Sequence, residues 1–172
     1  TLLGRALTGR GEVAHRDGNF DLRGVRIANG PSHVDVDGRW GSTVDLRWNA
    51  NVRSLALLHP DLRGELVSSG TARGSAARPH VKGDLQARQL AIGSATVASL
   101  QGDVDLDGTD QRDSWVDLRA SDLTFGGVTF DRASFDARGR LAEHGAALEL
   151  SSPGAGDQGP PERLEADREA AG

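Results

Sequence analysis

Leu85-Gln-Ala-Arg-Gln-Leu-Ala-Ile-Gly93 and Leu118-Arg-Ala-Ser-Asp-Leu-Thr-Phe-Gly126 are two versions of one pattern. Leucine, alanine, leucine and glycine fall at the same places in both stretches, at a constant offset of about 33 residues. A period in the range of about 20–50 residues indicates supersecondary units that stack on one another rather than one closed globule. The sequence therefore predicts a chain built from degenerate repeats of this length.

Each copy starts with the alternation that is typical of a strand with one buried face. In the second copy, Val116, Leu118 and Ala120 alternate with polar residues. The alternation then skips one residue before Leu123, and the first copy has the same skip before Leu90. Such a slip would turn the following side chains to the other face, and a β-bulge at each skip would restore them and bend the strand.

The same alternation of apolar and polar residues recurs along most of the chain. A weaker third copy runs through Phe20 and Leu22, skips a residue and resumes at Ile27. Leu55-Ala-Leu-Leu-His-Pro60 breaks the alternation and predicts a short irregular or helical turn that ends at the proline. The predicted fold class is all-β: a long, strongly curved antiparallel sheet of about eight to eleven strands, a half-pipe with an apolar concave groove.

The character of the chain changes after Leu150. Residues 1–150 are predicted to form the curved sheet, as a section of a larger repeat protein. Residues 151–161 are rich in glycine, proline and serine without apolar periodicity, and Leu164 is the only large apolar residue after them. Residues 151–172 are therefore predicted to be a disordered tail with nascent helix.

Bulk composition excludes several classes of protein. The 172 residues carry a net charge of −5, which argues against a nucleic-acid partner because phosphates attract a basic face. The absence of cysteine excludes a disulfide framework and a thiolate metal site. Aromatic residues make up only 4% of the chain, too few for a conventional compact core and compatible with an open face.

The candidate catalytic and metal-binding motifs each lack residues that such sites require. Asp103-Val-Asp-Leu-Asp107-Gly108 resembles the start of a calcium-binding loop, but Ser114 stands where a bidentate glutamate is needed. The histidines are scattered, no serine lies in a nucleophile elbow, and Gly70-Thr-Ala-Arg-Gly74 lacks the ending of a phosphate loop. The chain is therefore predicted to be neither an enzyme nor a metal or cofactor protein.

The apolar positions of the alternating segments are the candidate site residues. We predict that they line the groove, and they are Phe20, Leu22, Ile27, Val34, Val36, Trp40, Val44, Leu46, Trp48, Leu66, Leu85, Leu90, Ile92, Val97, Leu100, Val104, Val116, Leu118, Leu123, Phe125, Val128, Phe130 and Phe135. For Trp40 and Trp48 the simpler interpretation is core packing, and the sharper one is a groove wall that touches acyl chains. Trp115 is predicted to precede a strand and cap an edge.

The order of several soft motifs over about residues 10–150 resembles the TamB family, the translocation and assembly module protein of Gram-negative bacteria in the AsmA-like group of bridge-like lipid transfer proteins. The residues that carry the resemblance are Gly38-Arg-Trp-Gly41, Val44-Asp-Leu-Arg-Trp48, Leu55-Ala-Leu-Leu-His-Pro-Asp-Leu-Arg-Gly64, Gly74 to Pro79 and Gly83-Asp-Leu85. The family's anchor helix and C-terminal domain have no counterpart here, so the resemblance implies an internal periplasmic section.

The resemblance implies a half-pipe that bridges the inner and outer membranes. It implies phospholipid transport and a part in outer-membrane protein assembly and secretion, with an Omp85-type outer-membrane partner, TamA. The expected location is the periplasm, with the full-length protein anchored in the inner membrane.

Three functions compete at this point. The groove could carry phospholipid acyl chains; the sheet could act as a scaffold that binds outer-membrane protein or autotransporter clients by strand addition; or the sheet could be a spacer that carries nothing. Polar residues are nearly absent from the inner register, which favours the first function over the third. The sequence leaves the first and the second open.

Overall fold

One antiparallel sheet contains all eleven strands of the computed structural model, which describes residues 6–57, 59–109, 111–140, 144–151 and 163–167. The strands lie in chain order, so each inner strand pairs with its predecessor and its successor. Their bounds are β1 Leu7–Arg16, β2 Asn19–Asn29, β3 Ser32–Trp40, β4 Thr43–Val52, β5 Leu62–Ser75, β6 Arg78–Ile92, β7 Ala95–Asp107, β8 Ser114–Phe125, β9 Val128–Gly139, β10 His144–Ser151 and β11 Arg163–Asp167.

This architecture confirms the predicted fold class, and the open sheet is consistent with a half-pipe. The helical structure within the described residues is limited to one 3-10 turn, Leu55–Leu57. It lies where the sequence predicted a break in the alternation. No helix within the described ranges is long and apolar enough to cross a membrane.

The end of the chain differs from its prediction. Arg163–Asp167 forms β11, within the stretch for which a disordered tail with nascent helix was predicted. Its register with β10 places Leu164 opposite Leu148. Leucine and alanine alternate with charged residues over these five positions, which is the strand period, and the free edge of β10 gives such a segment a partner. The predictions for residues 152–162 and 168–172 lie outside the described residues.

All three predicted skips contain a residue in the left-handed conformation. The φ angles are 54° at Gly24, 51° at Gln89 and 50° at Asp122. At Gly24, β2 has one residue more than either neighbour, and at Gln89, β6 has one residue more than β5. The predicted bulges are therefore confirmed at these two skips.

The bulge predicted at the third skip is wrong. Around Asp122 the pairing of β8 keeps one register with both β7 and β9. The reason is visible in the neighbouring strands, since β7 skips between Val97 and Leu100 and β9 skips between Phe130 and Ala133. Because the irregularity falls at one level in adjacent strands, none of them needs an extra residue relative to the next.

Glycine on one strand accommodates a large side chain from the next. The indole of Trp48 lies over Gly70 of β5 and Gly83 of β6, so that a Cβ added at Gly83 would be 3.0 Å from the ring and one at Gly70 would overlap it. In the same way Leu118 lies against Gly102. Neighbouring strands are thus matched in size, large against small.

We expect Gly70→Ala to lower the free energy of unfolding by about 1–3 kcal/mol, because the added methyl group displaces the Trp48 ring and overpacking of this kind is poorly tolerated. The measurement is urea denaturation followed by tryptophan fluorescence. Gly145→Ala in β10 is the matched control, since a Cβ there meets no atom within 4 Å. Equal stability of the two variants would contradict the packing described for Trp48.

We expect Gln89→Val to lower the free energy of unfolding by about 1–2 kcal/mol, because a β-branched side chain is strained at a positive φ. Gln86→Val, on an exposed site of the same strand, should change it by less than about 0.5 kcal/mol. Thermal denaturation of both variants tests this, and a Gln89→Val variant as stable as Gln86→Val would show that the left-handed residue is not required.

Candidate functional site

Two rows of opposed residues define an apolar face that crosses the sheet from β2 to β10. Residues directly opposite each other in an antiparallel pair point to the same side of the sheet. One row consists of Val25, Val36, Trp48, Gly70, Gly83, Val104, Val116, Ala137 and Ala146. The next consists of Val34, Ala50, Ser68, Leu85, Gly102, Leu118, Phe135 and Leu148. Ser68 is the one polar residue in the two rows.

Most of the predicted groove residues belong to this face. Register and strand alternation bring together Phe20, Leu22, Ile27, Val34, Val36, Trp40, Val44, Leu46, Trp48, Leu66, Leu85, Leu100, Val104, Val116, Leu118 and Phe135. The remaining ones lie beyond the level of Gln89 and Asp122 and are Leu90, Ile92, Val97, Leu123, Phe125, Val128 and Phe130. That these share the face of the first group stays a prediction.

Sequence reasoning missed several members of the face. Val52 is only 6% exposed and Ala87 3%, yet neither was among the candidate residues. Others that the register adds are Val25, Ala50, Val81, Leu106 and Leu148. The signal was the same alternation, which runs on through these positions and includes small residues such as Ala50 and Ala87.

The side chain of Trp48 is held flat in the middle of the face. Its Nε1 donates a hydrogen bond of 3.2 Å to Oγ of Ser68, so the polar atoms of both residues have a partner within the apolar surroundings. The ring packs on Gly70 and Gly83 and remains half-buried. Trp48 therefore combines the packing role with a position on the open surface of the face. Trp40 is 52% exposed.

No second layer covers this face in the part of the chain that the structure describes. The extensive contacts between elements are those of neighbouring strands and of the Leu55–Leu57 turn with β5. Phe20 is 40% exposed and Ile27 52%. Beside the turn between β7 and β8, an open pocket of about 490 Å³ is lined by Val81, Leu106 and Val116 together with Asp107 and Arg140. An apolar surface that extends over so many strands implies a ligand or a partner.

The opposite face is charged. Arg39 pairs with Asp21 at 3.0 Å and Arg73 with Asp45 at 3.2 Å, on side chains that remain largely in water. Exposed pairs of this kind contribute little to stability and serve mainly to keep the surface solvated. Trp115 belongs to β8, opposite Asp105 and Arg138, so the prediction that it precedes the strand is wrong. The strand starts one residue earlier because Oγ of Ser114 accepts a hydrogen bond from the backbone of β7.

The loop that resembled a calcium site is closed by donors of the protein itself. Oδ1 of Asp107 accepts hydrogen bonds from the backbone N–H of Thr109 at 3.0 Å and from its hydroxyl at 2.7 Å, and Oδ2 accepts one from the N–H of Arg112 at 2.9 Å. These bonds, that of the Thr109 hydroxyl first, lower the pKa of the Asp107 carboxyl. Among the described residues, no group of acidic and histidine side chains could hold a metal ion.

The lowered pKa of Asp107 gives a pH dependence of stability. Because the folded pKa lies below the unfolded one, the carboxylate stabilises the fold above about pH 4 and loses this contribution as the pH falls through its folded pKa. Asp107→Asn should therefore be less stable than the unmodified chain at pH 7, and the difference should shrink below about pH 4. Urea denaturation over this pH range tests it. A difference that stays constant would be contradictory, and Asp131→Asn, at an exposed site of β9, is the control.

A comparison with protein-family models gives one match. The model described as "TamB, N-terminal domain" matches residues 1–157 of the chain. No curated protein and no solved structure matched the chain.

Proposed function

Because this chain belongs to the TamB family, we propose that it is a section of a bridge across the periplasm that carries phospholipid acyl chains along its apolar face between the inner and outer membranes. The observation that carries the proposal is the row from Val25 to Ala146, which crosses nine neighbouring strands without a polar side chain.

The direction of the rows fits transport along the sheet. Neighbouring strands lie about 4.8 Å apart, so a row over nine strands runs for about 38 Å perpendicular to them. An acyl chain that moves along such a row exchanges one apolar contact for the next. Each buried CH₂ group contributes about 0.8 kcal/mol, and a path without polar interruptions keeps this contribution nearly constant from strand to strand.

The composition of the rows keeps the surface of the face low. The indole of Trp48 lies over the opposed pair Gly70 and Gly83, and Leu118 lies over Gly102. The face is therefore low and smooth where Trp48 and Leu118 fold over the glycines, and the one polar side chain of the two rows, Ser68, is already bonded to Trp48. We propose that the headgroups stay in water while the acyl chains lie on the face.

The wider setting is part of the same proposal. The full-length protein would be anchored in the inner membrane, and other parts of it would meet the Omp85-type partner TamA. The chain would contribute no catalytic step and no cofactor.

A second candidate function is a scaffold for outer-membrane protein or autotransporter clients. The observation that favours it is β1, which lies at the edge of the sheet and whose residues are exposed along the whole strand. Edge strands present unpaired backbone groups and can add a strand from another chain. In that case the binding site would be the edge, and charges on the apolar face would have little effect.

We expect Leu118→Arg and Phe135→Arg to reduce the phospholipid that purifies with the chain by on the order of tenfold, because a charge facing acyl chains costs about 2.5–3.5 kcal/mol. Both positions lie in one row and are half-buried. The measurement is lipid extraction followed by mass spectrometry, with circular dichroism to verify the fold.

Gln86→Arg, exposed on the charged face of β6, is the control and should leave the bound lipid unchanged. Folded variants that retain as much lipid as the unmodified chain would overturn the acyl-chain proposal. Binding of an extended client peptide that both apolar-face variants leave unchanged would support the edge scaffold instead.

A further inference from the structure

The pocket beside the turn between β7 and β8 has largely apolar walls. Val81 and Leu106 are opposed residues of β6 and β7, and Val116 and Ala137 are opposed residues of β8 and β9. All four line the pocket together with Pro79, and its volume is about 490 Å³. Pockets that bind small ligands usually measure roughly 300–1,000 Å³. We call this one the edge pocket.

The edge pocket is continuous with the apolar face. Val116 and Ala137 also belong to the first of the two apolar rows. Toward the other side, Val81 is opposed by Ala72 of β5, which in turn is opposed by Leu46 of β4. An acyl chain in the pocket can therefore extend onto the face while its CH₂ groups stay in contact with apolar side chains.

A backbone contact holds the turn between β7 and β8 against the start of β6. The N–H of Gly108 donates a hydrogen bond of 3.0 Å to the carbonyl oxygen of Pro79. A Cβ added at Gly108 would lie 2.7 Å from that oxygen, so this close approach depends on glycine. The turn is thereby fixed at the opening of the pocket, with Asp107 in the lining and Arg112 paired to it.

The carboxylate in the pocket lining is already satisfied within the turn. Asp107 is 4% exposed, and its two oxygens accept hydrogen bonds from Thr109 and from the backbone N–H of Arg112. Its negative charge is thus bound by donors of the protein and does not face the pocket as an open acceptor.

Two arginines at the opening remain largely in water. The side chain of Arg140, which lines the pocket, is 58% exposed, and that of Arg112 is 69% exposed. Their Nε atoms contact Asp113 at 3.3 Å and Asp107 at 3.7 Å. Exposed ion pairs of this kind are weak, and a guanidinium has five N–H donors in a planar fork that suits a phosphate. Both arginines can therefore donate to a phosphate at the opening.

We propose that a phospholipid places an acyl chain in the edge pocket and its phosphate at the opening, where Arg140 and Arg112 donate hydrogen bonds to it. A molecule with an apolar chain and a phosphate matches both parts of the site. A free phosphate would use the arginines alone, and an apolar ligand without charge would use the walls alone. The inference rests on the proposed function, because it assigns a headgroup contact at the water-exposed edge to the ligand of the same face.

The test compares two amphiphiles with the same dodecyl chain. Dodecylphosphocholine carries a phosphate, and dodecyl maltoside does not. Their binding to the lipid-depleted chain is measured by isothermal titration calorimetry below the critical micelle concentration. The variant Arg112→Gln with Arg140→Gln should bind dodecylphosphocholine more weakly by on the order of tenfold, because it lacks the charged donors. It should bind dodecyl maltoside as tightly as the unmodified chain.

The matched control carries Arg39→Gln with Arg119→Gln. These two arginines lie on the charged face, are 58% and 72% exposed, and each pairs with an aspartate. This variant should bind both amphiphiles like the unmodified chain. A further variant, Leu106→Asn, adds a polar group to the wall of the pocket and should weaken both amphiphiles by a similar factor.

A third titration uses inorganic phosphate alone. The unmodified chain should show no measurable heat of binding, because the exposed arginines without the apolar walls hold a hydrated anion only weakly. Tight binding of inorganic phosphate would assign the arginines to a free anion and would overturn the inference.

The outcomes also separate the inference from the proposed function. An unchanged affinity of the Arg112→Gln and Arg140→Gln variant for dodecylphosphocholine, or equal weakening by both arginine pairs, would overturn the inference. Unchanged binding of both amphiphiles by Leu106→Asn would overturn it as well. In each case phospholipid that still purifies with the unmodified chain would leave the proposed function standing, whereas its absence would overturn that function.

Discussion

The structure depends on the pairing of every inner strand with both of its neighbours in one fixed register. A single-layer sheet has few fully buried side chains, and Val44 and Ala87 are among the small set that are. Backbone hydrogen bonds between neighbouring strands therefore hold the sheet together where other folds rely on packing against a second layer. The rows of opposed residues supply the apolar contacts between strands. A slip by one residue would exchange the apolar face for the charged one, so the register also defines the site.

Complementary size across the strands is the second consequence of this pairing. Trp48 needs glycine at the opposed positions on the next two strands, and Leu118 needs Gly102. Glycine weakens an isolated strand, since it has no side chain to pack. Here the weakness is offset by the neighbour that covers it, and the result is a low apolar surface instead of an interdigitated core. Such a surface suits a ligand that moves better than one that is held.

Polarity then divides the molecule in two directions. Across the thickness of the sheet, ion pairs such as Arg39 with Asp21 keep one face in water while the other stays apolar. Along the strands, the edge with the turn between β7 and β8 carries the ion pairs of Arg112 with Asp107 and of Arg140 with Asp113, whereas residues 90–97 and 123–130 at the other edge carry no charge. Asp107, bound by Thr109 and Arg112, organises the turn between β7 and β8.

The sequence by itself determined the fold class, the repeat and most of the face, because alternation with a period of two is a local property that survives in each strand alone. It also located the skips at Gly24, Gln89 and Asp122. Only the tertiary structure decided which skips become bulges, since a bulge is a difference between two strands and Asp122 has neighbours with the same irregularity. The strand at Arg163–Asp167 likewise depends on the edge of β10, a partner that short local patterns do not reveal. The small residues of the face, such as Ala87 and Gly83, acquire their role only from the large side chains that the register places beside them.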